Sequence, residues 1–434
     1  MDPVTVGIVA FVVLFILLAM GMPIGFAMGL VGFVGYAVIS GPTAALGQLA
    51  IVPYGAVASY TLSVLPLFIL MGELAQMAGI SSAAFEAAHK WLGHLRGGLA
   101  MATIGACTVF AACVGSSSAG STVMTYVAWP QMKKYKYDPR LALGVIAAGG
   151  TLGILIPPSA PFVVYALFAD ESVGKLFMAG IIPGLILSTL FMIAIVVQTR
   201  LNPALGPTAP PASWRSKFSS LKSTGPAVLI ILLVLGGIWG GIFTPTEAGG
   251  IGAAGAFLIA LVGRQVTGRK LIFHLTSAVR TSAMIFTILI GALIFGYFLT
   301  ATNLPFLLAE YVKGLDIPPM GIILVILFIY AILGCIMDTF AMIILTLPIF
   351  IPIVKGLGFS LIWFGVLVTV MTEMAQITPP IGFNVFIVSG MVPEIPMYTI
   401  FRGIGPFVLA LAVLIGCLLV FPDIALFLPN AMGR

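Results

Sequence analysis

The chain has 434 residues, 61% hydrophobic and 7% charged, with a mean hydropathy of +1.20. Soluble domains carry about a quarter charged residues, so a soluble globular fold is excluded. At about 20 apolar residues per span the length allows about ten to twelve membrane-embedded segments, and the net charge of +6 lies in short loops, where it orients a chain in the bilayer and does not point to nucleic acid.

With the N-terminus outside, 4–22 and 24–40 read as spans, and a long helix near 51–79 leads inside to Lys90 and Arg96. Met1-Asp2-Pro3 lacks the positive region of a signal peptide, so the first apolar run is expected to be retained. Residues 97–131 read as a re-entrant hairpin with its tip at Gly115-Ser116-Ser117-Ser118, returning to the same side at Lys133-Lys134 and Arg140. A full crossing there would place this basic cluster outside, against the positive-inside rule.

Segment 141–168 crosses outward but is broken at Gly149-Gly150-Thr151-Leu152-Gly153-Ile154-Leu155-Ile156-Pro157-Pro158-Ser159. Two successive prolines stop an α-helix and free carbonyls that lipid cannot satisfy, so such a break must be buried in protein or line a polar cavity. Segment 176–199 crosses back to a Pro-rich linker over 201–222, whose Trp214-Arg215-Ser216-Lys217-Phe218 suits either a short helix on the inner surface or a solvated linker. Spans 224–242 and 246–263 follow, with Glu247 expected to cap the second, and the chain is inside again at Arg264 to Arg280.

A span to about 302 then leads to a second hairpin, 321–352, with its tip at Gly334–Asp338. A second broken segment, 362–389, carries Thr378-Pro379-Pro380-Ile381-Gly382-Phe383-Asn384, and 403–421 is the last span. The two proline pairs lie 222 positions apart, and the Gly-rich helix after Pro23 has a counterpart after Pro245. The expected fold is therefore an all-α polytopic membrane protein of two inverted-topology repeats, 1–200 and 223–434, joined by the linker 201–222. On this topology 15 of the 19 Lys and Arg lie inside, and Lys175, Lys313, Lys355 and Arg434 lie outside.

Paired interrupted helices point to the binding site of a secondary transporter. Freed carbonyls and hydroxyls at the first tip, around Gly115 and Ser117, suit a weakly held cation such as Na⁺. Half-helix N-termini with Ser116, Ser117, Ser118, Ser159, Thr378 and Asn384 suit a carboxylate. An Asp at membrane depth costs about 2.5–3.5 kcal/mol on insertion scales, so Asp338 is expected to face a cavity or cation unless it sits near a helix end. Glu373 is a similar candidate or a cap, and Glu73 has no evident partner. The cysteines Cys107, Cys113, Cys335 and Cys417 read as buried hydrophobes without a disulfide or metal role. No P-loop sequence occurs, and the histidines (His89, His94, His274) read as solvated or interfacial, so a serine hydrolase would lack its base.

The stretch 149–159, Gly174-Lys175-Leu176-Phe177-Met178-Ala179-Gly180-Ile181-Ile182-Pro183-Gly184, Gly334-x3-Asp338, Leu347-Pro348-Ile349-Phe350-Ile351-Pro352 and 377–384 closely resemble the large (M, DctM-like) membrane subunit of tripartite ATP-independent periplasmic (TRAP) transporters. The resemblance covers nearly the whole chain. It implies an elevator-type secondary transporter of the bacterial inner membrane, not an enzyme, importing a small organic acid (dicarboxylate, keto acid or sugar acid) by Na⁺ symport. It also implies a small four-helix membrane subunit and a periplasmic substrate-binding protein as partners, and Na⁺ sites at the hairpin tips and broken helices, here Gly115, Ser117, Thr151, Gly153, Gly334, Asp338, Thr372, Thr378 and Gly382. Ser118-Ala119-Gly120 replaces the family's frequent Pro-Ala-Thr, and Met371 and Gln376 depart from its frequent Asn-x-Glu-Ile-Gly-Leu. A receptor-independent carboxylate carrier of a related two-repeat fold is the alternative, and an intramembrane hydrolase is the remote one.

Overall fold

The structure is a computed structural model that describes residues 2–334 and 337–432. Cys335 and Arg434, which figure in the sequence reading, lie outside the described residues. Among the described residues every regular element is helical. In the first half these are α1 (Pro3–Ala19), α2 (Ile24–Ser40), α3 (Pro42–Val57), α4 (Val64–Met77), α5 (Ile80–Leu92), α6 (Gly98–Val114), α7 (Ser117–Lys134), α8 (Pro139–Leu155), α9 (Ala160–Ala169) and α10 (Val173–Leu201). After a 3₁₀ turn at Pro203–Leu205 come α11 (Trp214–Trp239), α12 (Pro245–Val262), α13 (Gly268–Thr302), α14 (Leu304–Lys313), α15 (Pro319–Leu333), α16 (Thr339–Gly356), α17 (Leu361–Ile377), α18 (Phe383–Met391), α19 (Met397–Val420) and α20 (Asp423–Ala431).

Both hairpins and both broken helices are present, in register. Helices α7 and α16 are 18 residues long and start at Ser117 and Thr339, while α8 and α17 are 17 residues long and start at Pro139 and Leu361. Both pairs share the 222-residue offset of the proline pairs, so the duplication extends to element boundaries. The breaks match as well: Pro157–Pro158 and Pro379–Pro380 are both cis, and α8 and α9 meet at a 41° bend.

Local chemistry explains the starts and stops. Gly115 ends α6 in the left-handed region (φ +62°), and Ser116 caps α7 by accepting from the Ala119 N–H. Asp138 caps α8 with Pro139 in its first turn, and Arg140 beside it holds its carboxyl below the usual range. Glu247 forms a capping box with Thr244 at α12, as expected.

The centre of the molecule is the pair α8 and α17, which pack on each other and are buried over nearly their whole length. Hairpin α6–α7 covers α8, and α15 and α16 cover α17. Beside them the halves exchange partners: α2 packs on α13, and α12 packs on α4. This reciprocal pairing of the helices after Pro23 and Pro245 is what two intertwined repeats produce. The α2–α13 crossing is close because both backbones lack a side chain there. A Cβ on Gly291 would lie 1.9 Å from the Gly25 carbonyl oxygen.

Several expectations are corrected. The single helix near 51–79 is two helices, α3 and α4, separated by residues 58–63; Tyr60 there bonds across to Thr244 and Thr246. Residues 80–92 and 304–313, read only as connections, are helices α5 and α14, and α20 follows the last span. The linker's Trp214–Lys222 stretch is neither a separate surface helix nor a loop, because α11 runs on through Pro226 into the span. Trp214 and Phe218 instead pack edge-on against Trp91, with Lys217 over the Trp91 and Trp214 rings. Finally, Glu73 is not alone and His274 is not solvated: His274 Nδ1 lies 2.7 Å from Glu73 Oε2, and Ser277 donates to Glu73 Oε1, tying α4 to α13.

Among the described residues, six helices are long and apolar enough to cross a membrane, or up to eight if each bent pair counts as one span. Shorter apolar helices such as α1, α2, α6, α15 and α17 supply the remaining embedded segments.

The α2–α13 crossing yields a stability test. Gly291→Val should destabilise the detergent-solubilised protein by about 1–3 kcal/mol or more, because backbone meets backbone there. Gly296→Ala, one and a half turns on with open space around it, should be neutral or stabilising. Thermal unfolding of the two variants checks the contrast.

Candidate functional site

The first hairpin tip sits on the first break because glycine faces backbone on both sides. A Cβ on Gly115 would lie 2.6 Å from the Pro158 carbonyl oxygen, and one on Gly153 would lie 2.6 Å from that of Ser116. In the second repeat Gly334 packs as closely on Ala375 of α17. Each tip therefore closes on the broken helix of its own half.

Hydrogen bonds join the halves. The Asn384 Nδ2–H donates to Ser117 Oγ at 2.7 Å and toward the Ala147 carbonyl at 3.3 Å. Ser117 Oγ–H in turn donates to Glu373 Oε2 at 3.3 Å. The hydroxyl at the start of α7 thus links α17 and α18, and the Asn384 amide extends the link to α8. The repeat-related hydroxyl, Thr339 at the start of α16, accepts from Gln376 Nε2 of α17. All four breaks are connected through these contacts.

These breaks also leave acceptors unpaired. Among the described residues, the buried side-chain polar atoms without a hydrogen-bond partner are Ser121 Oγ, Ser159 Oγ, Glu373 Oε1, Gln376 Oε1 and Asn384 Oδ1. All five are oxygens, and all lie on the hairpins or broken helices. An unpaired buried polar atom costs about 1–3 kcal/mol, so each of these oxygens is an acceptor open to a further partner. Around it, α6, α8, α15 and α17 end while α7, α9, α16 and α18 begin. Helix C-termini favour cations and N-termini favour anions.

The expected site residues divide. Ser117, Asn384, Gly115, Gly153 and Gly334 take part in the contacts above, and Ser159 is buried with its hydroxyl free. Ser116 and Ser118 bond each other at 3.1 Å on the partly exposed side of the tip. Thr151, Thr372 and Thr378 turn their hydroxyls back to the carbonyls of Ala148, Thr369 and Ala375. Asp338 caps α16, its Oδ1 accepting from Phe340 and Ala341. Gly382 (φ +55°) supplies the left-handed turn into α18.

Glu373 proves more central than its sequence position suggests: it is fully buried and lies six residues before its proline pair, where the first repeat has Thr151. Being the one acid of α17 is the signal that marks it. Ser121, one turn beyond Ser117, gives no such signal in sequence. The two breaks also differ in exposure. Pro157 and Pro158 are buried, whereas Pro379, Pro380 and Ile381 are exposed.

Comparison with known proteins bears on this geometry. The family model for the DctM component of tripartite ATP-independent periplasmic transporters matches residues 11–424. The chain is 35% identical over 375 residues to the C4-dicarboxylate TRAP transporter large permease protein DctM of Pseudomonas aeruginosa, covering 86% of this chain and 87% of that protein. It is 31% identical to the sialic acid TRAP transporter large permease protein SiaM of Vibrio cholerae, covering 95% and 96%. Among solved structures, the YdaH transporter of Alcanivorax borkumensis, described as having an unusual topology, shares the fold at a TM-score of 0.66 and 18% identity, covering 90% and 89%.

Ser117 is the point to test. Ser117→Ala should cost about 1–3 kcal/mol, since it strips the donor from Glu373 and an acceptor from Asn384. Adding Asn384→Leu should cost less than the sum of the two single changes. A double-mutant cycle by thermal or denaturant unfolding in detergent checks the coupling.

Proposed function

We propose a transport reaction from the premise that this chain belongs to the DctM-component family of tripartite ATP-independent periplasmic transporters, and is thus the large permease subunit of a secondary transporter. Its relatives are named as transporter permeases, and it is not an enzyme. The reaction is import of a small organic acid by Na⁺ symport across the bacterial inner membrane. A periplasmic substrate-binding protein delivers the acid, and a small four-helix membrane subunit completes the complex. The relatives' names mention cargoes as different as a C4-dicarboxylate and sialic acid, so the class assigned is the carboxylate they have in common.

The observation that carries this reading is the set of unpartnered buried oxygens at the connected breaks. Oxygen-only ligands on flexible backbone suit a hard, weakly held cation, which supports Na⁺ as the co-transported ion. Neither break region contains a Lys or Arg. The carboxylate is therefore held by helix N-termini and by Ser and Asn donors, and bound Na⁺ supplies the countercharge. An elevator motion accounts for the two-part packing: the unit around α8 and α17 slides against the scaffold of α2, α4, α12 and α13. One buried and one exposed break is what an alternating-access protein presents in one of its end states.

Uptake into proteoliposomes holding this chain and its small partner tests the proposal. Accumulation should need both the soluble receptor and an inward Na⁺ gradient, each coupled ion adding about tenfold to the accumulation ratio for a tenfold gradient. Uptake that persists after the Na⁺ gradient is dissipated would overturn the symport, and uptake without receptor would make the protein a self-sufficient carrier.

A further inference from the structure

Away from the breaks, α5 and α7 run side by side toward the basic end of the molecule and leave a crevice between them. His89, in the last turn of α5, meets Tyr135, just past the end of α7, edge-on at 5.8 Å between ring centres. Lys133 and Lys134 close α7 there, which places this end in the headgroup region of the inner leaflet. The crevice has a volume of about 500 Å³. Toward the helix ends its wall is Glu86, His89 and Lys90 of α5 with Gln131 of α7, and farther from those ends it is Phe85, Tyr126 and Val127. Tyr126 lies about 12 Å of helix before Lys134 and is 72% exposed, so that part of the crevice opens toward the acyl chains.

The charges in the wall are balanced. Lys90 Nζ donates to Glu86 Oε1 at 2.6 Å, one turn away on the same helix, and the two side chains are 27% and 64% exposed. An exposed pair of this kind adds little to stability and opens easily to other partners. The His89 ring touches the Phe85 and Tyr135 rings edge-on, and among the described residues its nitrogens have no hydrogen-bond partner. A purely anionic group entering here would meet Glu86, and a purely cationic one would meet Lys90. A zwitterion with ammonium and phosphate on one short linker matches both, and the Gln131 amide can serve either end.

We propose that this crevice binds an inner-leaflet phospholipid whose headgroup carries a primary ammonium, of the phosphatidylethanolamine type. The ammonium donates to Glu86, and the phosphate accepts from Lys90 and the His89 ring. One acyl chain lies along Phe85, Val127 and Tyr126. The bound lipid touches both α5 and α7, so it braces the second arm of the first hairpin against its neighbour. The site is separate from the breaks and does not depend on which ion or acid the protein carries.

Thermal unfolding of the purified, delipidated full-length chain, titrated with dioleoyl lipids in mixed micelles, is the test. Phosphatidylethanolamine should stabilise wild type at a concentration about tenfold below that of phosphatidylcholine, whose quaternary ammonium has no N–H for Glu86. Glu86→Gln should remove that preference. Lys90→Met should weaken both lipids together, and it carries the test if the first variant does not fold. Equal responses to the two lipids in wild type, or responses unchanged in the variants, would overturn the site. Phosphatidylglycerol binding more tightly than phosphatidylethanolamine would make the crevice a plain anion site. Free phosphoethanolamine saturating the protein at the same concentration as the lipid would make the ligand a soluble zwitterion. Either of these results also overturns the proposal.

Discussion

Lipid offers no hydrogen bonds, and this chain interrupts its helices where lipid would surround them. Every other feature of the fold accommodates that constraint. Helices α8 and α17, which carry the breaks, are buried along nearly their whole length and pack on each other. The hairpin tips close over them at Gly115, Gly153 and Gly334, where any larger residue would collide. The first break is sheltered by protein throughout, whereas the second is covered only up to Ile377, with Pro379 to Ile381 exposed.

Sheltering of this kind leaves a surplus of acceptors, and the surplus is where the chemistry lies. Ordinary buried polar groups find partners within their own fold. Here Ser121, Ser159, Glu373, Gln376 and Asn384 each retain an oxygen with none. Ser117, at the first turn of α7, reaches both Glu373 and Asn384 of the other repeat. A perturbation of either half is thereby felt at the same atoms.

The scaffold follows a different rule. Its helices meet through small residues, as at Gly25 and Gly291, or through a satisfied polar link, as at Glu73, His274 and Ser277. In contrast to the breaks, none of these scaffold groups is left with an unpaired buried side-chain atom among the described residues.

Composition and periodicity alone were enough to read a helical membrane protein of two related halves, because apolar run length, proline pairs and basic loops are local properties. The first hairpin was legible for the same reason, since only a re-entrant path keeps Lys133 to Arg140 on the side of Lys90 and Arg96. Tertiary structure decided the rest. The turn at 58–63 carries no Gly or Pro and depends on Tyr60 meeting Thr244 and Thr246, nearly two hundred residues on. Pro226, a breaker by local rules, is absorbed within α11. The pairing of Glu73 with His274, and of Ser117 with Glu373 and Asn384, likewise joins residues that no local pattern connects. Local rules specify where a helix must stop; only packing specifies which distant side chain faces the gap.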